Sequence, residues 1–140
     1  MKRYGGWIIA VMVVALPLGG CGKGTAKATP QSPAAVEKQA SGIARITLKG
    51  RAAERLGIEF AEVKSAGKRL EAPYRTLLYD TTGREWVFVS PEPNVFMRTE
   101  VKVEQIDGDT MYFSKGPAAG TRLVTTGIAQ LYGIEFGVGK

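Results

Sequence analysis

From Ile43 to Lys140 the apolar residues recur mostly with a period of two, in short runs separated by glycine-containing turns. That spacing restricts the folded part to a small antiparallel β architecture. Val95, Met97, Thr99, Val101 and Val103 alternate with Phe96, Arg98, Glu100, Lys102 and Glu104, the pattern of a strand with one face buried and one wet. Glu85-Trp86-Val87-Phe88-Val89 is apolar on both faces, which places it centrally in a sheet. Asp107-Gly108-Asp109 separates the Val95 strand from Thr110-Met111-Tyr112-Phe113, and Thr81-Thr82-Gly83-Arg84 joins Arg75–Tyr79 to Glu85–Val89, so both predict hairpins. A third turn cluster, Gly116-Pro117-Ala118-Ala119-Gly120, precedes a strand over Arg122–Thr126. Two helical pieces interrupt the strands: Ala52–Leu56, stopped at Gly57, and Ile128–Tyr132, stopped at Gly133. Each is followed by Ile-Glu-Phe, at 58–60 and 134–136. A helix turn feeding a strand needs a glycine stop in any case, so coincidence accounts for the echo.

The expected fold is mainly β: a small antiparallel sandwich or barrel-like domain with one or two short helical turns, preceded by a signal peptide and a flexible linker. The domain, residues 43–140, has about 98 residues, enough for one core and too few for two.

The chain before it reads differently. Met1-Lys2-Arg3 is a positive start, and Trp7–Leu18 is an apolar run of 12 residues broken only by Pro17. A bilayer core needs about 20 residues, whereas a secretory signal carries an apolar region of roughly 7–15. Residues 1–20 are therefore expected to be an export signal. Leu18-Gly19-Gly20-Cys21 resembles the lipobox of bacterial lipoproteins, and the resemblance implies that Cys21 becomes the first mature residue, carrying acyl chains that anchor it to a membrane. Stable anchoring takes two or more such chains. Gly22 stands where an inner-membrane retention signal usually shows Asp, which points to the outer membrane. Residues 21–42 are rich in Ala, Lys, Pro, Ser and Gly, with Val36 the one large apolar residue. Such a segment buries too little to offset its ordering entropy and is expected to be a disordered tether.

Charge and composition exclude much chemistry. The chain has 19 basic and 13 acidic residues, a net +6, which falls to +4 once Lys2 and Arg3 leave with the signal. That suits anionic headgroups or an acidic partner, but no block of like charge marks a nucleic-acid arm. There is no histidine, and acylation of Cys21 would consume the only thiol, so disulfides, thiolate nucleophiles and imidazole metal sites are all excluded. A serine nucleophile would have to be Ser65, Ser90 or Ser114 with a lysine base, and none sits in a G-x-S-x-G elbow. Asp107 and Asp109 lack the alternating oxygens of a calcium loop and read as turn residues. Asp80 and Glu85 flank a turn and read as solvated acids rather than an acid/base pair. The glycine-rich stretches 116–121 and 137–140 lack the residues of a phosphate cradle. Lys64, Lys68, Arg69 and Arg75 surround a loop that is either simply solvated or touches an acidic partner or lipid headgroups. The strand aromatics are accounted for by core packing. No catalytic residue, metal ligand or cofactor is expected.

Pro73, Leu77-Leu78-Tyr79, Asp80, Gly83 and Trp86-Val87-Phe88-Val89, within residues 72–89, resemble the C-terminal region of periplasmic adaptor subunits (membrane fusion proteins) of RND-type efflux systems. The resemblance continues through Gly116, Gly120, Leu123-Val124 and Gly127, while residues 45–63 are similar to the segment that opens the mature part of heavy-metal-type adaptors. Adaptors of this family carry a lipoyl-like domain, a helical hairpin and most of a barrel between those segments. Here eight residues separate Val63 from Ala72, and no heptad run exists. What remains resembles the membrane-proximal β-domain that docks on the inner-membrane pump. The resemblance implies a lipid-anchored, non-enzymatic interaction module in the periplasm, accessory to an efflux or cation-export transporter. Its partners would be the membrane, through Cys21, and an inner-membrane transporter or full-length adaptor, with contacts around Lys64, Lys68, Arg69, Arg75, Asp107 and Asp109. A free-standing ligand-binding envelope lipoprotein, holding a small amphiphile or cell-wall fragment between its sheets, is the alternative, and a degenerate remnant without a role is a third.

Overall fold

The computed structural model describes residues 32–138. The signal, Cys21 and the first ten residues of the expected tether lie outside the described residues. The fold is mainly β, with two antiparallel sheets packed into a small sandwich and two short helices, as the period-two pattern requires. The strands in chain order are β1 (Ala34–Lys38), β2 (Ala44–Leu48), β3 (Glu59–Glu62), β4 (Lys64–Ala66), β5 (Arg69–Pro73), β6 (Leu78–Tyr79), β7 (Glu85–Glu92), β8 (Val95–Glu100), β9 (Lys102–Asp107), β10 (Thr110–Lys115) and β11 (Arg122–Thr126). Helix α1 spans Ala52–Arg55 and α2 spans Ile128–Phe136. The larger sheet has the order β1-β2-β8-β7-β11-β3, with β6 also paired to β7, and the smaller has the order β4-β5-β10-β9.

Strand β7 lies inside the larger sheet, hydrogen-bonded to β8 and β11, as its two apolar faces demand. Its residues alternate between two cores. Val87 packs with Val63, Ala72, Val101, Met111, Phe113 and Leu123 between the sheets. Phe88 packs with Ile46, Leu48, Phe96, Val124 and Leu131 beneath the helices. The layers are thus helices, larger sheet, smaller sheet, and the larger sheet has a dry face on each side.

Three expectations are corrected. The tether does not run to residue 42: Ala34–Lys38 pair with Leu48–Ala44 as an edge strand, and the domain begins there. An edge strand satisfies one row of backbone groups against its neighbour and needs little apolar surface; Ala34 alone is buried. The Val95–Glu104 run is not one strand. Phe96 and Arg98 lie buried under α2 while Met97 and Thr99 are half-buried, and at Val101 the chain crosses from the larger sheet to the smaller, with that side chain turned into the core between them. Helix α2 does not stop at Gly133 but runs through Ile134-Glu135-Phe136 to Gly137, whose φ of 70° closes it. Only one copy of the repeated Ile-Glu-Phe therefore enters a strand, at β3, which dissolves the echo.

Candidate functional site

The expected contact residues are divided by a divergence of strands. β4 pairs with β5 through Lys64↔Glu71. One residue earlier Val63 is tied to the other side, donating its amide to the Thr121 carbonyl at 3.0 Å and accepting from the Gly120 amide at 2.8 Å. From there β3 follows β11, with Glu62 opposite Arg122, while β5 continues to Pro73 opposite Thr110. The two strands splay apart, and a cleft of about 580 Å³ opens between Ala61-Glu62 on one wall and Ala72-Pro73 on the other. Pro73 ends β5, and a single 3-10 turn, Tyr74–Thr76, carries the chain across the mouth. The Tyr74 amide donates to the Asp109 carbonyl at 2.7 Å, and the fully buried Thr76 hydroxyl donates to the Pro73 carbonyl at 2.8 Å.

Of the six residues singled out from the sequence, Lys64, Arg75 and Asp109 line this cleft. Glu62, Glu71 and the 40%-exposed Tyr74 join them, and the sequence reading did not include these three. Their only signal was proximity to Lys64 and Arg75, and it takes the register of β4 with β5 to bring Glu71 beside Lys64. Among the described residues, none of the five charged side chains makes an ion pair within 4.0 Å. The cleft is also bordered by a sheet edge, since β3 pairs with β11 and, among the described residues, has no strand on its other side. Its outward backbone groups are free for an added strand.

The other three residues are elsewhere. Lys68 follows Gly67 in the β4–β5 turn. Arg69 is engaged on the outer face of the smaller sheet, donating from Nη1 to Gln105 Oε1 at 3.0 Å with its guanidinium 4.6 Å from the Tyr112 ring centre. Asp107 ends β9 at the hairpin.

Two acids expected to be merely solvated have structural duties. Asp80 Oδ1 accepts from the Thr82 hydroxyl at 2.6 Å and from the amides of Thr82 and Arg84 at 2.8 and 3.0 Å. Its Oδ2 accepts from Arg84 Nε and from the Trp86 indole, both at 3.0 Å. The Thr82 hydroxyl foremost, then the Trp86 indole and the two amides, hold this carboxyl well below the usual range against the opposing effect of desolvation. Glu85 Oε2 accepts the Val103 amide at 2.9 Å, which ties β7 to the strand beyond the Val101 crossing. Desolvation, and then the neighbouring Tyr74 and Glu85, raise the Tyr79 phenol above its ordinary value.

A second polar feature lies under α2. Arg98 Nε sits 2.6 Å from Glu135 Oε2, with the side chains only 8% and 4% exposed. The guanidinium carbon lies 4.5 Å from the Trp86 ring centre, 5.1 Å from Phe136 and 5.6 Å from Tyr132. Three aromatic faces thus surround a buried cation whose Nη1 has no hydrogen-bond acceptor among the described residues. This arrangement fastens α2 to the sheet.

Comparison with protein families, curated proteins and solved structures finds no match to this chain.

Proposed function

We propose that the chain is a lipid-anchored, non-enzymatic module of the cell envelope that works by contact, as an accessory to an RND-type efflux or cation-export transporter. The observation that carries the contact reading is the cleft: five charged side chains of both signs, none committed to an ion pair, beside an unpaired strand edge and an exposed tyrosine. A polypeptide partner can use all three at once, through backbone pairing, charge and aromatic packing. The choice of transporter rests on the likeness of residues 72–89 to adaptor subunits, and membrane anchorage rests on Cys21.

A photo-crosslinking amino acid in place of Tyr74, in intact membranes, tests this. The expected product joins the chain to an inner-membrane transporter subunit or a full-length adaptor, and Lys64→Glu with Arg75→Glu abolishes it. Recovery of no transport component would overturn the assignment.

One observation favours the alternative of a ligand-binding lipoprotein, the cleft volume itself, which is within the usual range for small-molecule sites. Its location differs from the expectation, because the space between the sheets is filled by Met111, Phe113 and Leu123. Thermal shift with lysophospholipid or a peptidoglycan fragment separates the readings: a binder at about 100 times its Kd adds roughly 2.7 kcal/mol.

A further inference from the structure

No side chain of β3 is buried: Glu59, Phe60 and Glu62 are exposed and Ala61 is half-buried. The direction of its pairing with β11 decides where its backbone points. Val63, next in the chain, turns both its amide and its carbonyl to Thr121 and Gly120, which lead into β11. Residues alternate along an antiparallel ladder, so Ala61, opposite Leu123, also faces β11, whereas the amides and carbonyls of Phe60 and Glu62 point to the cleft side. These two residues lie roughly 7 Å apart along the strand. Beyond the β3–β11 ladder, no backbone hydrogen bond reaches residues 59–62 among the described residues. The facing wall offers less: Pro73 has no amide to give, and β5 passes there directly into the 3-10 turn.

The side chains of β3 set the chemistry of what can be added. Among the described residues, neither Glu59 nor Glu62 makes an ion pair within 4.0 Å. Arg122 stands opposite Glu62 but is engaged elsewhere, with its guanidinium 4.7 Å from the Phe60 ring centre and its Nη2 donating to Ser90 Oγ at 3.3 Å. The Phe60 ring is stacked with Phe96, centres 6.3 Å apart and planes 5° from parallel, so an apolar face is held in place at the surface. The edge thus presents two uncommitted carboxylates with an ordered aromatic ring between them in sequence.

We infer that the partner protein binds as an extended basic segment that adds to β3 as a further strand of the larger sheet. This rests on the reading of the cleft as a partner-contact site and names the chemistry of the segment that enters it. On an added strand the positions opposite Glu59 and Glu62 are three apart and on opposite faces, so the segment carries lysine or arginine at that spacing, with an apolar residue opposite Phe60. A second copy of this chain does not fit, because two β3 strands would bring four carboxylates and no cation into one ladder. Lys64 and Arg75 are left for acidic groups that flank the strand.

The test titrates two short peptides of threonine and valine, one with lysines three positions apart and one with glutamates in their place, into the isotope-labelled full chain in detergent micelles, and follows its amide NMR signals. The lysine peptide should shift Phe60 and Glu62 saturably and slow the exchange of their amides, and the glutamate peptide should bind more weakly by about tenfold. Methylating the alternate peptide amides that meet β3 should abolish binding. Glu59→Lys with Glu62→Lys should invert the preference between the two peptides. No shift at Phe60 and Glu62 with millimolar lysine peptide, binding that survives methylation, or a preference that the reversal leaves unchanged overturns the added strand. The outcome is separable from that of the Tyr74 crosslink. A peptide that pairs while no transport component is recovered keeps the strand and removes the transporter, whereas a transporter crosslink that survives Glu59→Lys with Glu62→Lys keeps the contact and overturns the strand.

Discussion

Asp80 shows how a turn acid becomes a structural centre. Five donors, from residues two, four and six positions along the chain, converge on one carboxylate, so its folded-state pKa is depressed relative to an unfolded value near 3.9. The unfolded chain therefore takes up the proton first as the pH drops. The stabilisation is complete above about pH 4 and is lost as the pH falls from there through the depressed folded value. Asp80→Asn should lower stability to urea at about pH 7, and the gap from wild type should narrow at about pH 2.5. Unequal consequences follow at the buried pair. Removing Arg98 leaves Glu135 in the core with only the Ala44 amide at 3.5 Å, whereas removing Glu135 leaves Arg98 against three aromatic faces. Each single change should cost about 3–5 kcal/mol, with Arg98→Leu toward the upper end. The double variant Arg98→Leu with Glu135→Leu should recover most of the loss, as chemical denaturation in a double-mutant cycle will show. The sequence pattern put Arg98 on the wet side of a strand because a local alternation carries no information about the helix that covers it 30 or more residues later.

At the level of elements, α2 tests the distinction between two glycines. Gly133 lies inside the helix, and a Cβ there would meet nothing nearer than the Val138 carbonyl at 3.9 Å. Gly133→Ala should stabilise by about 0.5–1 kcal/mol through helix propensity. Gly127, just before the helix, has φ of 92°, and a Cβ there would run into Ile58 Cδ1. Gly127→Ala should destabilise by at least about 1 kcal/mol, so thermal melts of the two variants should shift in opposite directions. Reading Gly133 as a stop followed from its spacing after Ile128–Tyr132, but a glycine closes a helix only where the backbone turns left-handed, and here that residue is Gly137. The hairpins at Gly83 and Gly108 were legible because their flanking runs are strongly β-forming and each glycine does adopt positive φ. Strand β1 was not legible, since backbone pairing to β2 and one buried alanine sustain it and leave little trace in composition. The cleft was half legible. Lys64, Arg75 and Asp109 were within the expected set, but it is the switch of Val63 between partners that gathers them, and no local pattern encodes a strand's change of sheet.

Across the whole molecule, the two cores are coupled by construction. Val87 and Phe88 are adjacent on β7 and Leu123 and Val124 on β11, and each pair sends one side chain into each core. Losing either packing surface therefore dislodges strands that the other depends on, so neither sheet nor helical layer has a core that can persist alone. The strand crossings at Val63 and Val101 add covalent coupling, because each passes directly from the larger sheet to the smaller within a single residue. Unfolding should be one transition, with calorimetric and van't Hoff enthalpies equal. Leu131→Ala, beneath α2, and Met111→Ala, between the sheets, remove fully buried side chains from different cores. Each should cost about 2–5 kcal/mol and move the same single transition without splitting it. A second transition in either variant, or residual amide protection in one sheet after the other has exchanged, would mean that the cores unfold separately and that β7 does not couple them.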